Sequence, residues 1–210
     1  MRPVPRSEEA NRQIRDVRRE TLLQAAVEIF GRNGYVGTRI DDIAALAGIS
    51  KGLVYHYFRS KEALFTALVE GAANGTARLF QGVRELPGDV AHRLRWLIDQ
   101  EVSGMMGAPY RFLVILQALI TEAAPYEARN AIVGMLAQEE AAIVPLLAEG
   151  QRDDQIVRGD PYQLFLLLRS CVQGMAASMA TQGLHSGFPS AESLWKLFVT
   201  PEMAARGTTR

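Results

Sequence analysis

The sequence predicts an all-α protein: an N-terminal three-helix unit containing a helix-turn-helix, followed by a larger C-terminal helical bundle. Three observations carry that prediction. The apolar residues repeat at helical spacing almost throughout, and no segment alternates as a half-buried strand would. Glycines at Gly34, Gly48 and Gly88 fall between the periodic segments. Ser50, Ser60 and Asp160 stand directly before helical patterns, where a side-chain oxygen can satisfy free backbone N–H groups.

Residues 1 to about 15 are polar, arginine-rich and contain two prolines, which predicts a flexible basic arm. A first helix follows with Leu22, Ala26, Ile29 and Phe30 on one face, ending at Asn33-Gly34. Thr38 is placed to cap a short second helix, with Asp41 three residues on, whose inward stripe is Ile40, Ile43, Ala44 and Ala47. Gly48 breaks it, and Ser50 caps a third helix running to about Phe58. Ser60 caps a longer helix carrying Leu64, Leu68 and Ala72, with Pro87-Gly88 as its stop. Further helices are expected at about 89–106, 110–123, 126–149, 161–182 and 191–199. Asp160-Pro161-x-Gln163 combines an N-cap, a proline at the first helical position and an N3 glutamine; Gly183 ends that helix. The domain division is then an arm at 1–15, a first domain at 16–80 and a second at 81–210.

Hydrophobic residues at 48% and charged residues at 22% fit a folded globular chain and exclude disorder throughout. A single cysteine, Cys171, excludes an intrachain disulfide framework and suits a reducing cytoplasm. Met1 to Glu20 lacks the apolar core of a signal peptide, and the run Phe112 to Thr121 is too short to span a bilayer. No membrane partner is therefore expected. Net charge is zero, but eleven basic and eight acidic residues up to Glu62 leave that part at +3 and the remainder at −3. The asymmetry is a modest pointer to an anionic partner for the first domain.

On a helical wheel of Ser50 to Phe58, Val54 and Phe58 lie together with Tyr57 beside them, while Gly52, Tyr55 and His56 lie opposite and Lys51 projects at the start. Lys51 can donate to a guanine edge or a phosphate, and Gly52 lets backbone approach a base closely. The Tyr55 hydroxyl and His56 ring can hold phosphates. Thr38 and Lys61 stand at helix starts, where free N–H groups reinforce a phosphate contact. The bland alternative is a solvated face between two short capped helices, and these residues by themselves leave both readings open.

The stretch from Ala25-Ala26 to Leu68 resembles the N-terminal domain of the TetR family of regulators. The similarity runs through Phe30-Gly31-x-x-Gly34-Tyr35, Gly37-Thr38, Ile43-Ala44, Ala47-Gly48-Ile49-Ser50-Lys51-Gly52, Tyr55-His56-Tyr57-Phe58 and Ser60-Lys61-Glu62-Ala63-Leu64. The resemblance implies a homodimer that binds a near-palindromic operator in double-stranded DNA, released by a small-molecule effector, with a helix-turn-helix at about 39–58. It places DNA contacts on Thr38, Ser50, Lys51, Gly52, Tyr55, His56 and Lys61. Two positions depart from the family pattern. Arg39 stands where threonine is common, adding a backbone contact, and Tyr57 stands where histidine usually precedes Phe58, which rearranges the phosphate clamp.

In the second domain Trp96, Met105, Met106, Phe112, Met135 and Met175 are candidates to line a cavity for an apolar effector, against the plain alternative of core packing. Arg169 interrupts a leucine-rich face, where it holds a ligand carboxylate, pairs with a glutamate or reaches solvent along its stem. Gln117 and Gln173 are similarly open. Gly174, Ala177 and Ser178 form a small-residue face suited to close contact with a second protomer, with Trp195 and Phe198 adding apolar area. His56, His92 and His185 lack metal-ligand spacing, and no phosphate-cradling loop or nucleophile motif is present, so neither cofactor nor catalysis is expected. A ligand-responsive repressor is the expected function. An activator of the same kind, or a helical carrier or adaptor without DNA binding, is the alternative.

Overall fold

A computed structural model describes residues 8–182 and 188–207, so the expected stop at Gly183 and the ring of His185 lie outside the described residues. The described residues form ten helices: α1 (Glu8–Gly37), α2 (Ile40–Leu46), α3 (Lys51–Tyr57), α4 (Lys61–Glu85), α5 (Val90–Gly107), α6 (Pro109–Ile120), α7 (Tyr126–Arg152), α8 (Pro161–Gln182), α9 (Ala191–Lys196) and α10 (Pro201–Gly207). The first helix already starts at Glu8, so residues 8–15 are helix rather than flexible arm. Its charged residues are good helix formers, and polarity alone misread them. Residues 1–7 lie outside the described residues.

The turns form where glycine permits them. Gly34 takes φ 74° and interrupts α1, and Gly48 takes φ 65° between α2 and α3. Ser50 Oγ accepts from the Leu53 amide, Ser60 Oγ from the Ala63 amide, and Asp160 Oδ1 from the amides of Tyr162 and Gln163. These are the caps expected from the sequence. At the C-terminal end α9 stops at Lys196 instead of continuing to 199. Pro201 favours extended backbone before it, and the freed segment pairs with the α7–α8 loop: the Val157 amide donates to the Phe198 carbonyl and the Thr200 amide to the Gln155 carbonyl.

Two clusters of buried side chains organise the molecule. The first joins Leu22, Ala26 and Phe30 of α1 to Ile43, Val54, Leu64 and Phe65. Phe65 meets Phe30 edge-on at 5.0 Å and Tyr35 at 4.7 Å. The second gathers Leu94, Leu97, Ile98, Ile143, Leu147 and Leu168. The long helix α4 serves both, with Leu64 to Ala73 in the first and Phe80 and Val83 in the second. α6 meets α5 at 98° and inserts Val114 and Ala118 into the first cluster. α7 is long and apolar enough by length and composition to cross a bilayer, but it packs along α4 and against α8 in the bundle.

Candidate nucleic-acid interface and ligand cavity

The recognition segment is short and held from three sides. α3 has seven residues, about 10 Å of rod. Its inward side chain Val54 is fully buried, Phe58 closes the far end and Tyr57 is half-buried with its hydroxyl donating to the Arg15 carbonyl at 3.4 Å. The opposite face presents Lys51, Gly52, Tyr55 and His56 to solvent, with Tyr55 46% exposed. Lys51 Nζ pairs with Asp41 Oδ2 at 2.8 Å across the turn, which raises the ammonium's pKa and keeps it charged. The pair is exposed on both sides, so it orients Lys51 without committing it. A Cβ on Gly52 would meet only Ser50 Oγ at 4.0 Å, so that position is open on the solvent side. Arg39, exposed, occupies the N-cap of α2.

Two expectations for this region need correction. Thr38 does not cap α2: it is 2% exposed, and its hydroxyl donates back to the carbonyls of Gly34 at 2.7 Å and Ile29 at 3.3 Å. Where α1 breaks, the Gly34 carbonyl takes both the Thr38 amide, at 3.2 Å, and that hydroxyl, leaving Arg39 at the cap with no side-chain bond. Lys61 is not a free phosphate donor. Its Nζ donates to the carbonyls of Tyr35, Thr38 and Val36 at 3.0, 3.2 and 3.4 Å and lies 4.8 Å from the Tyr35 ring centroid. All three donors are therefore used inside the domain. Nearby, the Tyr35 hydroxyl donates to Glu62 at 3.2 Å, and burial together with that carboxylate pushes its pKa up to about 12.

The second domain encloses a cavity of about 310 Å³ between α4, α5, α6, α7 and α8. Its walls include Leu79, Phe80, Phe112, Leu116, Leu119 and Phe165. Four charged side chains line it: Glu101 from α5, Arg111 from α6, Glu139 from α7 and Arg169 from α8. Glu139 is 5% exposed. Burial pushes its carboxyl up to about 7 against the opposing pull of Arg169. Burial, reinforced by the charge of Glu139, pushes Glu101 up to about 8. Arg169 carries a buried Nη1 with no hydrogen-bond partner.

Of the expected cavity residues, Phe112, Arg169, Gln173 and also Met135 do line it. Met105, Met175 and Trp96 instead pack in or against the second core, and Met106 is 52% exposed. Gln117 faces the other domain, its Nε2 donating to the Phe30 carbonyl at 3.0 Å while its buried Oε1 has no partner. Trp195 and Phe198 are buried within the protomer, with Trp195 Nε1 donating to the Ala91 carbonyl at 2.9 Å, so neither can supply a contact surface. α9 packs against α5 and buries Trp195, while Phe198 joins the same core from the segment after α9. Gly174 remains open, with no atom within 4 Å of a built Cβ; Ser178 is half-buried, and Ala177 lines the cavity.

Glu101 and Glu139 were missed, although the sequence holds a signal for both. Glu101 falls in the stripe Leu94, Leu97, Ile98, Met105, and Glu139 in the stripe Met135, Ala142, Ile143, Leu146. A carboxyl in an apolar stripe signals as clearly as the arginine on α8.

α6 joins the two sites. One side, through Phe112 and Leu116, lines the cavity. The other grips α1: Arg32 Nε donates to the Tyr110 hydroxyl at 3.0 Å, Gln117 reaches Phe30, and a Cβ on Gly31 would lie 2.7 Å from the Tyr110 ring. That approach requires glycine.

Residues 22–68 match the family model described as bacterial regulatory proteins, tetR family. The chain is 42% identical over 55 residues to the HTH-type transcriptional repressor NicS of Pseudomonas putida, a match covering 26% of each chain. It is 39% identical over 84 residues to the HTH-type transcriptional activator FasR of Mycolicibacterium smegmatis, covering 40% of this chain and 37% of that one. These matches thus span a quarter to two-fifths of the relatives' own length. The fold as a whole is similar to the transcriptional regulator FadR from Bacillus subtilis in complex with stearoyl-CoA, at 21% identity and TM-score 0.63, covering 85% of this chain and 96% of that one. The helix-turn-helix held by Gly48, Ser50 and Val54 lies within the matched residues, so residues 22–68 form a DNA-binding domain of the type found in bacterial regulators of the TetR family.

Proposed function

We propose that this protein is a ligand-responsive repressor that binds a palindromic operator in duplex DNA as a homodimer, through α3, and leaves it when an effector fills the cavity. The observation that carries the reading is the solvent face of α3. Lys51, Gly52, Tyr55 and His56 are exposed together on a helix fixed by the Ser50 cap and buried Val54. A carrier or adaptor has no use for such a face.

In this reading Lys51 and the Gly52 backbone address base edges, while Arg39, Tyr55, His56 and the exposed Ser50 meet phosphates. Dimerisation uses the outer faces of α7 and α8, where Val133, Leu167 and Gly174 lie exposed. Reading both half-sites needs the two α3 helices about 34–36 Å apart. The cavity supplies a small, largely apolar effector site, and the FadR neighbour, solved with stearoyl-CoA, supports an acyl-bearing or similarly apolar ligand. The FasR relative, an activator, supports activation as the second reading of sign. A reporter driven by the gene's own upstream region separates the two, rising on deletion of a repressor and falling on deletion of an activator.

The direct test is fluorescence anisotropy of the full chain with its upstream duplex across a salt series. Specific binding should weaken steeply with salt, by about 0.9 in the log–log slope for each phosphate neutralised. Lys51→Ala should cost about 1–3 kcal/mol at the specific site. Salt-insensitive binding, or none that exceeds a scrambled duplex, would contradict the proposal.

A further inference from the structure

We infer that the effector is an apolar molecule carrying a protonatable nitrogen, seated against the carboxyls of Glu101 and Glu139. This rests on the cavity being the effector site.

The two carboxyls of the cavity are unevenly paired. Glu101 and Glu139 face one cavity from α5 and α7, and neither makes a hydrogen bond or close ion pair with any described residue. The cations facing them are Arg169 from α8 and Arg111 from α6; α4 contributes Thr76 and no charge. Arg169 acts on Glu139, whereas the charge acting on Glu101 is that of Glu139. Arg169 thus answers Glu139, and among the described residues no cation acts on Glu101. Arg111 is exposed, so solvent screens it.

Without a ligand the site meets the imbalance by keeping protons. Glu101, raised to about 8, is mostly neutral near pH 7. A bound ammonium group supplies the missing charge and three donors, and Glu101 then releases its proton to solvent as the ion pair forms. The balance is one cation in and one proton out. Phe80, Phe112 and Phe165 add ring faces, and Leu116 and Leu119 cover an alkyl or aryl body. A carboxylate headgroup would add negative charge beside Glu139 and compete with it for Arg169.

Three probes with one chain and different headgroups test this: decylamine, decanoate and 1-decanol. Each is titrated calorimetrically into the full-length protein at pH 6.5, 7.5 and 8.5, in two buffers of different ionisation enthalpy. At pH 7.5 decylamine should bind at least roughly tenfold more tightly than the other two. About one proton should leave per site, and amine affinity should rise with pH and level off above about 8. Glu101→Gln should reduce decylamine to the affinity of decanol, abolish proton release and leave decanol unchanged. Glu139→Gln, a second variant, should also weaken the amine selectively.

Tighter binding of decanoate, or an amine preference that survives both substitutions, would overturn the inference. Equal affinity for amine and alcohol would overturn it too, while leaving the cavity as the effector site. Failure of all three probes to bind would remove the cavity reading along with it. Amine binding with unaltered operator affinity would sink the regulatory reading and leave the headgroup assignment standing.

Discussion

On α3 the residues Lys51, Gly52, Tyr55 and His56 face solvent, and the domain folds around Val54 without them. In the cavity Glu101, Glu139 and Arg169 occupy positions where leucine would pack without desolvation cost. The first site is neutral for folding and the second works against it. Such departures from what stability favours mark functional positions. The two call for different evidence: an exposed face is recognised by the chemistry it presents, a cavity by polar groups that lack partners.

Lys61 gives the largest break in this comparison, because it stands beside the recognition segment yet belongs to the fold. Lys61→Ala strips three carbonyls of their donor and should destabilise the protein by about 2–3 kcal/mol. Thermal denaturation measures that loss. The salt slope of DNA binding by the folded fraction should stay unchanged, and a slope lower by about one unit with stability intact would return Lys61 to the phosphate contacts.

Gly52 is the mirror case. Its Cβ position is open, so Gly52→Ala should leave stability unchanged or raise it by up to about 1 kcal/mol. The added methyl holds the backbone away from a base edge, and specific DNA affinity should fall by about 1–3 kcal/mol. Denaturation and anisotropy on one preparation separate the two effects; unaltered affinity would move the base contact elsewhere on α3.

Glu101 gives the smallest effect and depends on pH. Its folded-state pKa, about 8, lies above the ordinary carboxylate value, so folding favours the protonated form. Stability is then fullest below about pH 4.5 and declines as pH rises toward 8. Glu101→Gln removes the decline. The variant should be more stable by about 1–2 kcal/mol at pH 8 and nearly equal to the parent at pH 5, a reduced figure because solvent enters the cavity. A constant difference across that range would show that Glu101 is ionised in the folded protein.

The helices of the first domain were legible where a boundary residue has one local job: Gly34 and Gly48 at positive φ, Ser50 and Ser60 as caps. Thr38 was misread because its hydroxyl turns back four residues to the Gly34 carbonyl instead of forward to α2, and Lys61 because its partners, the carbonyls of Tyr35, Val36 and Thr38, come from tertiary contact. The cavity was half legible. Arg169 stood out against its leucines, but Met105, Met175 and Trp96 are as apolar as any cavity wall, and only packing shows that they go to the core. Glu139 escaped because α7 is rich in glutamate, and its inward position appears only when the stripe from Met135 to Leu146 is traced.

In the proposed switch the cavity governs the α3 face through α6, whose two sides touch the cavity and α1. The most direct measurement is the affinity of the protein for its operator duplex, by anisotropy, with the cavity empty and with it saturated by a ligand whose binding calorimetry has established. Operator binding should be weaker by about 5–150-fold when the cavity is full, a coupling of about 1–3 kcal/mol, with bound operator weakening the ligand by the same factor. Equal operator affinity in both states, with the ligand demonstrably bound, would contradict it.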